Sequence, residues 1–360
     1  MMVDGMPLIR RLSHAVLCLA LLGLCAQAHA GQQFESPKAA IDALVSAARS
    51  GEKDKLIDIL GSDGQHVISS GDEVADKNAR ERFMEAYDKH HELEMEGDDF
   101  AILLLGDDDW PFPIPVVKRE DGKWEFDTEG GLEEILIRRI GRNELLAIEA
   151  AQLYVKAQEK YAAINPDGEQ PPAYAQRFIS SPGKKDGLYW STEAGDEESP
   201  LSKKFIEVTD EGYKPDGIRP MPYRGYYFRI LKSQSDEAEG GAQNYIDNGR
   251  MTGGYALIAF PAEYNNSGIM TFIVSRDSEV LEKDLGEDTT DVASGIDTFS
   301  PDDGWGPAQI PEPTYWRPML FLRTRKVAVA NAVLPVASAR LRQVGASCWR
   351  KVRSEPRHLR

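Results

Sequence analysis

Two stretches of the chain are apolar at nearly every position, Gly254–Phe260 (GYALIAF) and Ile269–Ser275 (IMTFIVS). A strand with one wet face alternates apolar and polar residues. Unbroken apolar runs of this length therefore predict central strands covered on both faces. Asn265-Asn266-Ser267-Gly268 lies between them and carries the chemistry of a tight connection. Upstream, the segment from Asn143 has a helical period. Leu146, Ala150, Leu153, Ala157 and Tyr161 fall on one stripe, while Glu149, Gln152, Lys156 and Glu159 lie off it. Asn165-Pro166-Asp167-Gly168 predicts its end. The expectation is a long amphipathic helix packed on an antiparallel sheet. Tyr223–Leu231 (YRGYYFRIL) adds an aromatic strand, and Ser275–Leu281, turning at Asp277-Ser278, predicts a small hairpin at the sheet edge. Ala175–Ile179 and Gly187–Trp190 read as short elements bordered by turn residues.

The first third of the chain reads differently. Ser36 and Pro37 are an N-cap and first-turn pair, and Ile41, Leu44, Val45 and Ala48 make an apolar stripe behind them. Ser50-Gly51 breaks the stripe, Leu56, Ile57 and Leu60 resume it, and Gly61-Ser62-Asp63-Gly64 stops it. Val67-Ile68 predicts a short extended piece, Ser70-Gly71-Asp72 a turn, and Asn78–Met95 a helix with Phe83, Ala86, Tyr87 and His90 on one face. Phe100–Leu105 predicts a strand. Pro113–Arg119 and Lys123–Asp127 predict a hairpin around Glu120-Asp121-Gly122, with Trp124 and Phe126 on its dry face. Thr128–Gly131 predicts a linker, Leu132–Ile140 a helical segment, and Gly141 a kink or an end. Helices followed by an antiparallel sheet are an α+β arrangement. In element order this unit is similar to the cone-shaped fold of the nuclear-transport-factor-2-like superfamily.

Charge and targeting signals add an address. The formal net charge is −17 over 360 residues. From Pro311 onward there are 11 Lys/Arg against 2 Asp/Glu, a net of +9, and the first 30 residues contribute +1. Residues 31–310 thus carry −27. A body this acidic repels phosphate backbones, which argues against nucleic acid as a partner. Arg10-Arg11 precedes an apolar run at Ala15–Leu24, and Ala28-His29-Ala30 has small-x-small spacing. The pattern predicts a secretory signal peptide over residues 1–30, cleaved after Ala30, and a periplasmic or secreted protein with no membrane span afterwards. Lipidation at Cys25 is the alternative, although Leu24 stands where a small residue is expected. Cleavage after Ala30 removes Cys18 and Cys25 and leaves Cys348, so the mature chain can form no internal disulfide.

The predicted organisation is an N-terminal α+β domain over 31–131, a helix-plus-antiparallel-sheet domain over 132–307, and a basic tail over 308–360. The tail holds Pro311, Pro313 and Pro318 before KVAVANAVLPVASARLRQVGASCWRKVRSEPRHLR. It reads either as a segment that touches an anionic surface or as translation past a frame change.

Candidate chemistry is sparse. Adjacent helical residues point about 100° apart, so His90-His91 cannot readily face one ion, and His66 has no ligand spacing to them. Asp107-Asp108-Asp109 and Glu282–Asp291 (EKDLGEDTTD) are oxygen-rich but lack the spacing of a calcium loop. No nucleophile elbow, phosphate loop or dinucleotide fingerprint occurs. The sequence therefore predicts no catalytic residues, no metal site and no cofactor. Tyr87, Trp110 and Trp124 are the candidate ligand-binding residues, since a cone-like unit can enclose a pocket lined by aromatics.

The runs RRIGRNELLAIEAAQLYVKAQEKYA, YAQRFISSPGKKDGLYW, PYRGYYFRIL and GGYALIAFPAEYNNSGIMTFIVSRDSEVLEKDLGEDT resemble a family of exported bacterial proteins, domain of unknown function 2950. The resemblance covers roughly residues 34–307, and Ser181–Trp190 is its most specific block. It implies export and an envelope setting, and with no established activity it supplies no catalytic residues to carry over. A helix feeding a small antiparallel sheet, with Gly-Tyr-Tyr-Phe and Ser-Gly-x-x-Thr-Phe-x-Val strands, is also similar to the soluble heads of type IV pilin-like proteins, although the helix here lies mid-chain. The expected role is a non-catalytic binding module of the envelope whose partner is a protein or surface component. The alternatives are a small-molecule binder or enzyme using the N-terminal cone, and a pilus or secretion accessory protein.

Overall fold

The computed structural model describes residues 31–69, 73–191, 198–201, 222–276 and 279–309. Residues 1–30, expected as a signal peptide, the tail from residue 310, all three cysteines, and residues 70–72 and 277–278, expected as turns, lie outside them. The protein is α+β, with helices and predominantly antiparallel sheets, and it divides into two units between Ile135 and Leu136. Among the described residues no helix is long and apolar enough to cross a membrane.

The first unit begins with α1, Pro37–Ser50. Ser36 Oγ accepts from Ala39 N at 3.1 Å, Pro37 takes the first turn, and Gly51 ends the helix at φ 71°. Helices α2 (Lys53–Leu60), α3 (Gly64–Ile68) and α4 (Glu73–Lys89) follow. A sheet then forms from β1 (His91–Glu96), β2 (Phe100–Leu105), β3 (Trp110–Pro111), β4 (Val116–Lys118) and β5 (Trp124–Phe126). Its order is β1-β2-β4-β5, with β3 also on β2. The α1 stripe packs in one core with Leu103, Leu105, Val116, Trp124 and Phe126. The outer edge of β5 is closed by the N-terminal segment. Phe34 N donates to Trp124 O at 2.7 Å, and Trp124 N donates to Phe34 O at 2.8 Å.

Three expectations in this unit are corrected. Val67-Ile68 is helical, in α3, because Gly64 abuts the Leu60 side chain and lets a turn form where a Cβ would lie 2.6 Å from Leu60 Cβ. The helix expected over Asn78–Met95 stops at Lys89. HELEME alternates with period two, and it pairs with β2 from His91↔Leu105 to Glu96↔Phe100. Thr128–Gly131 is no linker but helical, and in the second unit Gly141 does not end the helix either. One helix, α5, runs Thr128–Ile164. Its two early glycines serve packing. A Cβ on Gly131 would lie 2.6 Å from Ile114 Cγ1, and one on Gly130 would lie 2.5 Å from Asp127 Oδ2.

The second unit contains the five-stranded sheet β15-β13-β12-β11-β6. Its strands are β6 (Tyr226–Leu231), β11 (Ala256–Pro261), β12 (Met270–Ser275), β13 (Leu281–Asp284) and β15 (Gly306–Pro307). β11 is buried at every residue and β12 at all but Met270, as doubly covered strands should be. β15 pairs outside β13, so the hairpin expected at the edge is one strand further in. Small pieces complete the unit: β7 (Ser233–Gln234), β8 (Gln243–Asn244), β9 (Ile246–Asp247), β10 (Arg250–Met251), α6 (Thr289–Ser294) and β14 (Thr298–Phe299).

The face that α5 buries overlaps the expected stripe but is rotated from it. Ala150, Ala157 and Tyr161 of the stripe are buried, together with Ala147, Ile148, Ala151, Tyr154 and Gln158, whereas Leu153 is 38% exposed and Leu146 is half-buried. The register is set by polar anchors and small residues. Tyr154 Oη donates to Ala256 O at 3.2 Å, and alanines on either side of Tyr154 let the helix come close to the sheet. Tyr161, Leu257 and Ile273 share the resulting core. Near residue 140 the helix grips the strand connection. Glu144 Oε1 accepts from Ile269 N and Met270 N at 2.9 and 3.0 Å, and Asn143 Nδ2 donates to Ser267 O at 2.9 Å.

Candidate binding clefts

Two clefts open in the second unit. The larger, about 510 Å³, is lined by the β7–β8 connection, the Gly253-Gly254 pair before β11 and the end of β12. Gln234 organises one wall. Its Nε2 donates to the carbonyls of Glu239 and Gly241, each at 2.8 Å, and its Oε1 accepts from Tyr245 Oη at 2.8 Å. All three bonds are made within this wall, so its shape is held by the protein's own groups. The Tyr245 ring occupies the space that a Gly254 side chain would need, with Cε1 2.8 Å from its Cβ position. A side chain at Gly253 would likewise meet Asn244 O at 2.8 Å and Gln243 Nε2 at 2.9 Å. The glycines leave backbone as cleft floor. Glu239, Gln243 and Arg276 are exposed and line the opening.

The smaller cleft, about 300 Å³, is built on the loop after α5, the Ser181–Gly187 turn and β10. Arg250 donates from Nε and Nη2 to the two oxygens of Asp167 at 3.0 and 3.2 Å. Asp167 Oδ1 also accepts from Glu169 N at 3.0 Å. Burial alone would raise the Asp167 pKa, but the Glu169 amide and Arg250 outweigh it and hold the carboxyl below its usual range. Asp186 follows the same logic. Burial acts upward, while Ser181 N (2.7 Å), Ser181 Oγ (2.9 Å) and Arg177 bring the carboxyl down. Tyr161 Oη donates to Lys185 O at 2.9 Å and fixes the turn against the helix. The ionised side chains already balance, two carboxylates against Arg250 and Lys185.

An aromatic wall divides the clefts. Tyr174 lines the smaller and Tyr255 the larger, and their rings meet edge to face at 4.7 Å. Tyr174 N donates to Met251 O at 2.7 Å, so the Gly249–Gly254 segment serves both sides.

The aromatics singled out in the sequence lie in the first unit and line neither cleft. Tyr87 is half-buried on α4, with its ring stacked on His91 at 3.8 Å. Trp110 on β3 is 48% exposed. Trp124 on β5 is 6% exposed and belongs to the core. Among the described residues no group of three His, Cys, Asp or Glu is placed to hold a metal ion. Asp107 pairs with Lys89 at 2.5 Å, and Asp109 lies 3.6 Å from His90 Nε2. The cleft residues Gln234, Tyr245 and Arg276 had no local signature. Near them the sequence offers only the pairs Gly240-Gly241 and Gly253-Gly254, which occupy turn or strand-entry positions.

The family model described as protein of unknown function (DUF2950) matches residues 31–308. No curated protein and no solved structure matches the chain.

Proposed function

The chain belongs to the DUF2950 family, whose description carries no activity, and from that premise we propose an exported, non-catalytic binding protein that seats a polar ligand in the larger cleft of its second unit. The observation behind this reading is the Gln234–Tyr245 assembly. It fixes a cleft of about 510 Å³ whose floor is glycine backbone and whose opening holds one acidic and one basic side chain. A site of that size and polarity suits a small hydrogen-bonding ligand rather than a lipid. Export is supported by the signal pattern before Gly31, which is itself seated in the first unit. Gln32 N donates to Asp58 O at 2.9 Å, and a Cβ on Gly31 would lie 2.7 Å from Ile59 O.

The test is an amide-resonance titration of the full chain with a panel of soluble sugars, amino acids and short peptides. The reading expects saturable shifts at Gln243, Gly253 and Arg276 that disappear in Gln243→Ala/Arg276→Ala. Shifts confined to other surfaces, or none across the panel, would remove the cleft as the ligand seat. Replacing His66, His90 and His91 by Ala should leave binding intact, and a loss would argue for chemistry at a histidine. The mass of the native protein should correspond to a chain starting at Gly31.

A further inference from the structure

The sheet of the first unit has one closed edge and one open edge. Phe34 closes β5, but among the described residues no strand pairs with the outer side of β1. The parity of the ladder says which groups lie there. Lys118 N donates to Asp99 O at 2.9 Å, and Phe112 N donates to Leu103 O at 2.7 Å. The odd residues of β2 therefore bond toward β4 and β3, and its even residues bond toward β1. Gly106 N donating to His90 O at 2.9 Å agrees. In the observed register the inward partners on β1 are Glu92, Glu94 and Glu96. The N–H and C=O groups of Leu93 and Met95 consequently point away from the sheet.

The side chains on this strand also alternate. Leu93 packs toward the core, while Glu92, Glu94 and Glu96 share the other face about 7 Å apart. None of the three forms an ion pair among the described residues, in contrast to Lys89–Asp107 nearby. We propose that the β1 edge is a docking site for an extended segment of another protein carrying Lys or Arg at alternate positions. That segment adds a sixth strand beside β1. Backbone pairing to Leu93 and Met95 supplies the attachment, and the glutamate row supplies the selection. A second copy of this chain is a poor occupant, because pairing β1 with itself sets glutamates against glutamates.

The experiment titrates the isotopically labelled full chain with a seven-residue peptide alternating Lys and Val, with a Glu/Val peptide as control. The basic peptide should bind, and amide exchange at Leu93 and Met95 should slow by about tenfold or more as those groups become paired. Glu92→Lys/Glu94→Lys should reverse the preference between the two peptides. Met95→Pro should abolish binding while sparing the ladder to β2, since the N–H it removes points outward. A peptide N-methylated on alternate amides tests the same pairing with an unaltered protein and should bind at least about tenfold more weakly, one lost hydrogen bond being worth roughly that much. Three results would overturn the proposal. Undiminished binding of the N-methylated peptide would reveal charge attraction alone. Slow exchange at Leu93 and Met95 before any peptide is added would mean that the chain's own residues occupy the edge. Absence of binding would remove the site altogether.

Discussion

Gln158 and Ala175 bond to each other twice, with Ala175 N donating to Gln158 Oε1 and Gln158 Nε2 donating to Ala175 O, both at 2.8 Å. The side-chain amide thereby acts as one rung of a β-ladder between α5 and the segment that leads into the smaller cleft. Its second N–H goes to Tyr154 Oη at 3.0 Å, and that hydroxyl donates on to Ala256 O at 3.2 Å. Both side chains are essentially without solvent contact, so one glutamine ties helix, loop and central strand together.

Gln158→Leu should cost about 2–4 kcal/mol, because it leaves the N–H and C=O of Ala175 buried and unpaired. The midpoint of urea unfolding measures the loss. Gln158→Glu carries a further signature. Burial favours the neutral acid and raises its folded pKa, so the variant should be least damaged in acid and lose stability as pH rises past the ordinary glutamate range. Equal destabilisation at pH 4.5 and pH 8 would show that the site is hydrated.

The buried tyrosines predict an alkaline limit. Burial pushes Tyr154 far above the ordinary phenol range, with Gln158 opposing only in part. Burial raises Tyr226 likewise, helped by Glu144 and Glu282. A raised folded pKa means the contribution is intact below the unfolded value near 10 and is lost as pH climbs above it. Unfolding should therefore sharpen above about pH 10, together with the rise in tyrosinate absorbance. Tyr154→Phe/Tyr226→Phe should be less stable at neutral pH yet lose less on going to pH 11. An unchanged pH slope would show that these two phenols do not set the limit.

Much of this architecture could be read from the chain because period and capping are local properties. The runs at 256–261 and 270–275, the Ser36-Pro37 cap and the hairpin across Glu120–Gly122 all declare themselves within a few residues. What stayed hidden was set by contacts distant in sequence. Leu153 belongs to an apolar stripe, but the position of the Tyr154 hydroxyl beneath Ala256 rotates the helix away from it. Gly130 and Gly131 carry the composition of a linker, and only the closeness of Asp127 to the first and of Ile114 to the second shows why a helix needs them. HELEME fits helix and strand alike until Leu103 and Leu105 offer it a partner. The clefts are the extreme case. Gln234 lies on β7, while Tyr245, Gly253 and Arg276 lie on three separate connections, and no spacing rule joins them.

Gly225 is held at φ 80°, and a Cβ there would lie 2.7 Å from Asn143 Nδ2 and 2.9 Å from Ser267 Cβ. Gly225→Ala combines left-handed strain with a clash against the grip of α5 on the strand connection. The expected loss is about 2–4 kcal/mol, above the usual range for a surface change. Calorimetry of the second unit's transition checks it, and a loss below about 0.5 kcal/mol would mean that the connection yields freely. Asn143→Ala/Gly225→Ala should be less destabilised than the sum of the single changes, since the first removes the side chain that the second strikes.

The Ser181–Gly187 turn should loosen in acid. Asp186 accepts from both the amide and the hydroxyl of Ser181, and Arg177 lies 3.8 Å away. Burial works against ionisation here, but these bonds prevail and the folded pKa sits below the ordinary 3.8. A lowered folded pKa means the contribution is present above the unfolded value and disappears as pH falls through the folded one. Order in the turn should therefore persist at pH 5 and fail from just below pH 4 downward. Amide exchange at Ser181, with base catalysis corrected for, reads that window directly. Asp186→Asn retains one acceptor but cannot ionise, so its Ser181 amide should exchange faster at pH 5 and show no acid-dependent step. Because Tyr161 and Lys185 join the same turn to α5, the smaller cleft should lose definition over the same interval. Ser181→Ala separates the contributions. It deletes the hydroxyl bond alone, so the acid step should move toward higher pH without vanishing, and its complete disappearance would assign the whole effect to the hydroxyl.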